Sequence, residues 1–257
     1  MKVGDITAAI EAFAPLSIQE GWDNSGLCIG SPQDEVHGVL VGFDCTEELI
    51  DEALAQGCDM VVTHHPLIFK GIKNIRPGDP VSDTLIRAVR GGVAVYAAHT
   101  TADKVIAGVS GAMARRLGLR DITVMEDEGG FGLGAVGTLP QPMTGEEAIA
   151  YVKERFGLGG LRCSRPVGRI EKVAVCGGSG ASEIGAARAT GAQLYISGDI
   201  SYHHFFTPED FMVMDIGHFE SEVDIVPILC AVIKEKFPTF AVRISAHLGR
   251  SNPVRYY

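Results

Sequence analysis

Residues 39–65 read VLVGFDCTEELIDEALAQGCDMVVTHH, and this stretch decides the fold. Strand-forming residues from Val39 lead to Thr46, whose hydroxyl suits a helix N-cap. Leu49, Ile50, Ala53 and Leu54 then recur at helical spacing. Gly57 suits the helix C-terminus, and Met60 to Thr63 reads as a second strand. Strand, helix and strand in so short a span make a β-α-β unit, whose crossover implies parallel strands.

The same grammar returns at 173–199, VAVCGGSGASEIGAARATGAQLYISGD. The two stretches align without a gap at an offset of 134 residues, Val39 falling on Val173, Ile50 on Ile184, Ala53 on Ala187 and Gly57 on Gly191. His64 then meets Gly198, and His65 meets Asp199. Any two β-α-β units share part of this pattern, but a second correspondence follows it. AVYAAHTTAD (94–103) and VMDIGHFESE (213–222) each place an apolar run before a histidine that stands four residues ahead of a carboxylate. We read an α/β fold of two similar α/β domains from an apparent internal duplication. The first domain is discontinuous, 1–125 plus 215–257, and the second covers 126–214. Between the halves the sequence predicts a strand near Gly132–Thr138 and a helix over Gly145–Phe156.

The chain has 257 residues, enough for a substantial core. Its formal net charge of −10 disfavours a sequence-independent nucleic-acid binder. The six cysteines form no C-x-x-C pair and lie mostly in apolar contexts, as reduced thiols in a cytoplasmic protein do. No apolar run is long enough to span a bilayer, and MKVGDITAAIEAF lacks a signal-peptide pattern.

VTHHPLIF (62–69) places two histidines side by side at a strand end. In a strand, neighbours point to opposite faces, and Pro66 favours an extended His65. The two imidazoles are therefore expected to diverge. His64, His65, Asp103, His218 and Glu222 all lie at or just beyond strand ends, where open α/β sheets build their sites. Nitrogen and carboxylate donors without cysteine suit divalent Zn, Fe, Mn or Co, and diverging ligands suit two such ions. Each pair also has a plain structural explanation: a strand-end pair bonded to backbone, an acidic first turn at His99–Asp103, and a solvent-facing i, i+4 pair at His218–Glu222. Convergence of all three on one architectural edge favours the metal site. SGDISYHH (197–204) adds Asp199, His203 and His204 as candidate catalytic groups. CGGSG (176–180) lacks the full spacing of a phosphate-binding loop and reads as a tight turn. Asp23 and Asn24 of GWDNSG (21–26) are turn residues or the lip of a cleft.

DNSGL, TEELIDEA, VTHHPLIF, VYAAHT-x-x-D, SGDISYHH and GH-x-x-x-E occur in this order along nearly the whole chain. Together they resemble the GTP cyclohydrolase I type 2 homologs, the Nif-three-like family. The resemblance implies two α/β domains with a dinuclear metal centre in the cleft between them, held by His64, His65, Asp103, His218 and Glu222. It also implies a toroidal homohexamer. The chain departs from the family pattern at Thr101–Ala102 and at Ser201, His204 and Phe205. The expected function is a metal-dependent hydrolase acting on a small nucleotide-like or phosphorylated substrate. The alternative is a non-catalytic metal-binding or metal-delivery protein, or a toroidal interaction scaffold.

Overall fold

The structure, a computed structural model, describes residues 1–256. The chain begins with α1 (Val3–Phe13), β1 (Gly26–Ile29), β2 (Gly38–Val41), α2 (Glu47–Ala55), β3 (Met60–Thr63), α3 (Pro80–Gly91), β4 (Ala94–Ala97) and α4 (His99–Asp103). It continues through α5 (Val109–Arg116), β5 (Arg120–Val124), β6 (Ala135–Met143), α6 (Gly145–Phe156), β7 (Arg162–Cys163) and β8 (Ile170–Ser179). The last elements are α7 (Ile184–Ala189), β9 (Leu194–Gly198), β10 (Met212–Asp215), α8 (His218–Glu222), α9 (Ile225–Lys236) and β11 (Ala241–Ile244). Together they make a mixed α/β fold with two sheets.

The β-α-β reading of 39–65 holds in detail. Thr46 Oγ1 accepts from Leu49 N–H and caps α2, and Glu47 and Glu48 sit where the helix dipole favours negative charge. Gly57, just beyond the helix, takes the left-handed φ of +66°. β2 and β3 pair in parallel, Val39 opposite Met60, and β4 adds in parallel on the far side of β3. Met60, Val61 and Val62 are wholly buried. Both faces of this strand are therefore covered, which is why it reads as a continuous apolar run rather than an alternation. β1 closes one edge antiparallel to β4, and β11 closes the other parallel to β2, giving the order β1-β4-β3-β2-β11.

The second sheet runs β5-β6-β8-β9-β10-β7. Here β8, β9 and β10 are parallel, with Val173 opposite Leu194. Offset by 134 residues, that pairing is the register of Val39 with Met60. β7 then lies antiparallel to β10 as β1 does to β4. The sheets differ on the other flank, where antiparallel β6 occupies the place that parallel β11 takes in the first. α6 spans Gly145–Phe156 as expected. Thr144 and Glu147 form a reciprocal capping box at its start, and Gly157 closes it at φ +67°.

The chain separates into two compact units, Met1–Ala102 with Ile225–Pro253, and Asp103–Asp224 with the residues from Val254. The divisions fall at 102/103 and 224/225, where the sequence reading has 125/126 and 214/215. Packing explains the difference. α5 lies on β8, β6 and β5, and α8 on β8 and β9, so both belong to the second sheet. α9 packs on α1, β11 and β2 and belongs to the first. Each unit has its own core, one around Leu40, Ile50, Val61 and Val95, the other around Met113, Val152, Val175 and Ile196.

Glu52 of α2 holds the segment after β11 in place. Its buried carboxylate accepts from Ser245 Oγ at 2.5 Å, Ala246 N–H at 2.8 Å and Gln56 Nε2 at 2.7 Å. Glu52→Ala leaves the buried Ser245 hydroxyl without this acceptor. It should lower stability by roughly 2–3 kcal/mol, the range for hydrogen bonds to a charged group. Urea unfolding of variant and wild type measures this, and a loss within about 0.5 kcal/mol, the usual surface value, would refute the role.

Candidate metal-binding site

β3 ends at Thr63, whose Oγ1 donates to the carbonyl of His65 at 2.8 Å. The backbone N–H groups of His64 and His65 both donate to the carbonyl of Phe43, at 3.1 and 3.2 Å. A strand cannot point two successive N–H groups at one acceptor, so the chain bends here and the alternation of side chains stops. The imidazoles do not diverge as the sequence reading expects. Their ring centroids lie 4.8 Å apart, tilted by 46°. His64 is wholly buried and stacks on Phe43 at 5.7 Å. His65 is partly exposed, and its Nδ1 pairs with Asp44 Oδ1 at 2.7 Å. With the proton held on Nδ1 towards the carboxylate, Nε2 carries the lone pair.

His99 opens α4 in the same unit. Its N–H donates to His64 O at 2.9 Å, and its ring lies 5.6 Å from those of both His64 and His65. Its Nδ1 meets Asp23 Oδ1 at 2.5 Å. Asp23, its side chain fully buried, also accepts from Ser25 Oγ, Thr100 Oγ1 and the Thr100 and Asn24 N–H groups. Burial pushes its pKa up, but the hydrogen bonds from His99, Ser25 and Thr100 outweigh that and hold the carboxyl well below the usual carboxylate range.

In the second unit Gly217, at φ +95°, turns the chain from β10 into α8. One helical turn then brings His218 Nε2 to 3.0 Å from Glu222 Oε2, and Glu222 is buried. His218 Nδ1 lies 2.8 Å from Oδ2 of Asp199, the residue just past β9. Both ring nitrogens thus face carboxylate oxygens. Asp103 is the first residue of this unit. The Cys176 thiol is pushed up by burial and then by the charge of Asp103, with a smaller contribution from Glu222.

The CGGSG stretch is a bulged end of β8 rather than a tight turn. Gly178 N–H donates to Ser221 Oγ at 2.9 Å and Gly180 N–H to Ser197 Oγ at 3.1 Å, so these donors are spent within the protein. A Cβ on Gly178 would stand 2.2 Å from Glu222 Oε1, and one on Gly177 would stand 3.1 Å from Glu222 Cγ. The glycines make room for a carboxylate, not a phosphate.

Of the other candidates, Asp199 touches His218. His203 and His204 are exposed on the short turn Tyr202–Phe205, His203 against the Tyr202 ring at 5.3 Å and His204 Nδ1 at 2.8 Å from Ser201 Oγ. Sequence reasoning missed Asp44 as a histidine partner. Its position just beyond β2, on the edge that carries His64 and His65 beyond β3, was the available signal. The pairing of Asp23 with His99 had none, since 76 residues separate them.

The donor set fits divalent transition metals. It offers imidazole nitrogen and carboxylate oxygen, and His65 and His218 are each oriented through Nδ1 by a carboxylate, as metal-ligating histidines commonly are. Gly177 and Gly178 let the Glu222 carboxylate lie against bare backbone beside His218.

Among known proteins, one of Clostridium perfringens named GTP cyclohydrolase 1 type 2 homolog is 33% identical over 242 residues, covering 92% of each chain. Its namesake in Clostridium acetobutylicum is 35% identical over 86% of this chain and 85% of its own. The crystal structure of a Staphylococcus aureus hypothetical protein superposes over 100% of this chain and 99% of its own, with a TM-score of 0.92 at 24% identity, and so shares the fold. Residues 1–253 match the family described as Duf34/NIF3 (NGG1p interacting factor 3), and with relatives this similar along most of their length the chain belongs to that family.

Proposed function

We propose that the chain binds two divalent transition-metal ions through His64, His65, Asp103, His218 and Glu222, and that it is a hydrolase of a small phosphorylated or nucleotide-like substrate. The observation that carries this reading is the pairing of Asp44 with His65 and of Asp199 with His218. Two histidines just beyond strand ends, each oriented through Nδ1 by a carboxylate, have the support that metal-ligating histidines commonly have. When bound, such cations supply Lewis-acid polarisation and charge neutralisation. Asp199 acts through His218 as a positioning residue. His203 and His204, both exposed in the same unit, are the groups left to exchange protons with solvent.

The same reading takes the two units as descendants of one duplicated β-α-β ancestor, supported by their matching registers. It makes the protein cytoplasmic, which suits its free thiols. Among the described residues no helix is long and apolar enough to cross a membrane.

Elemental analysis after mild purification should find about two ions per chain. Protein that refuses added Zn, Mn and Fe would end the proposal. Metal-loaded protein that turns over no phosphoester, nucleotide or cyclic amide would end its hydrolase part. Glu222→Gln keeps the size of the side chain but removes the charge that offsets a cation, and should empty the site. His99→Ala should keep the ions and cost activity, roughly 10–100-fold as for residues that support a ligand; the reverse outcome would move His99 into the ligand set. Asp199→Asn should weaken metal binding by roughly 10–100-fold, and unchanged affinity would make its contact with His218 incidental. On the family resemblance we also propose a closed homohexamer. Light scattering should return six times the chain mass, and a monomer at micromolar concentration would contradict it.

A further inference from the structure

The first unit carries a group of exposed rings beside its histidines. Trp22 is 60% exposed and Phe69 is 45% exposed. The two rings meet edge to face at 5.9 Å, and each touches His99, at 6.0 and 5.7 Å. His99 in turn touches His64 and His65, so ring contacts run unbroken from the candidate ligands to the surface. The placement is held by polar bonds as well as by ring contact. Asn24 Nδ2 donates to Ile68 O at 2.6 Å, tying the turn that carries Trp22 to the residue before Phe69. The Asp23 network fixes the same turn to α4.

Phe69 opens a segment unlike the rest of the chain. Lys70, Lys73 and Arg76 follow, and no carboxylate occurs between Asp59 and Asp79. All three cations are exposed, and none is in an ion pair among the described residues. In a protein of net charge −10, such a local reversal of sign favours the approach of an anionic ligand. Exposed aromatic faces stack on planar rings, and Lys and Arg donate charge-assisted hydrogen bonds to phosphate oxygens.

We propose that Trp22 and Phe69, together with Lys70, Lys73 and Arg76, form the recognition edge of the site. The rings hold a planar heteroaromatic group, and the cations hold the phosphate attached to it. This rests on the hydrolase reading above and assigns the residues that select its substrate.

Trp22 is the single tryptophan, so its fluorescence reports on this edge directly. The probes are AMP and GMP, their nucleosides, and inorganic phosphate, each titrated into the full chain with and without bound metal, with metal content measured alongside. At least one nucleotide should quench saturably, its nucleoside should bind about tenfold more weakly for want of charge-assisted contacts, and phosphate alone should not quench. The triple variant Lys70→Ala, Lys73→Ala, Arg76→Ala should bring the nucleotide down to nucleoside affinity, and Phe69→Ala should weaken both. Thermal melting checks that the variants remain folded. Saturable quenching by neither nucleotide, with normal metal uptake, overturns the recognition edge and leaves the metal reading standing. Cation-dependent quenching in a chain that takes no metal supports the edge while the metal reading falls. A triple variant that quenches like wild type but changes in oligomeric mass would make the segment an interface between copies and overturn the proposal.

Discussion

The Phe43 carbonyl receives the N–H groups of both His64 and His65, and the candidate site depends on that shared acceptor. Were the strand to continue, one imidazole would turn away from the other. Instead the chain bends within two residues, the rings come side by side, and Phe43 packs against both. The bend is possible because β2 stops two residues before Phe43, leaving its carbonyl without a place in the sheet ladder. A parallel sheet with both faces buried has only its strand ends to offer to chemistry. Asp44, His64, His65 and His99 are all residues that follow the last ladder position of their strand.

The second unit reaches a comparable result by different means. There the histidine is paired along a helix, His218 with Glu222, and oriented across the sheet edge by Asp199. Space for the carboxylate comes from backbone without side chains, at Gly177 and Gly178. One unit crowds imidazoles together and supplies carboxylates behind them. The other surrounds one imidazole with carboxylates.

Much of this was legible in the sequence where local chemistry governs. The cap at Thr46, the capping box at Thr144 and the parallel pairing around 39–65 follow from short-range rules. The offset of 134 residues carried the strand register from one unit to the other because β-α-β geometry fixes both. What was hidden depends on long-range closure. Nothing near residue 241 announces that β11 will pair with β2, some two hundred residues earlier. The unit boundary moved because the packing of α5 and α8, not their place in the chain, decides which sheet they cover. The convergence of His64 and His65 was missed for a related reason. Strand alternation is a sound rule, and it stopped one residue before the pair.

The connectivity has a consequence for the order of synthesis. The second unit is nearly continuous, from Asp103 to Asp224, whereas the first waits for Ile225 and beyond. On a ribosome, β2 is made early but keeps an open edge until β11 emerges. That edge, Gly38–Val41, is apolar and buried in the finished sheet. An unpaired apolar edge is a template for association with other chains. The interval between residues 41 and 241 is thus a period of exposure in every round of translation, during which the continuous part of the second unit, Asp103 to Asp224, is already made while the first unit still lacks its last strand.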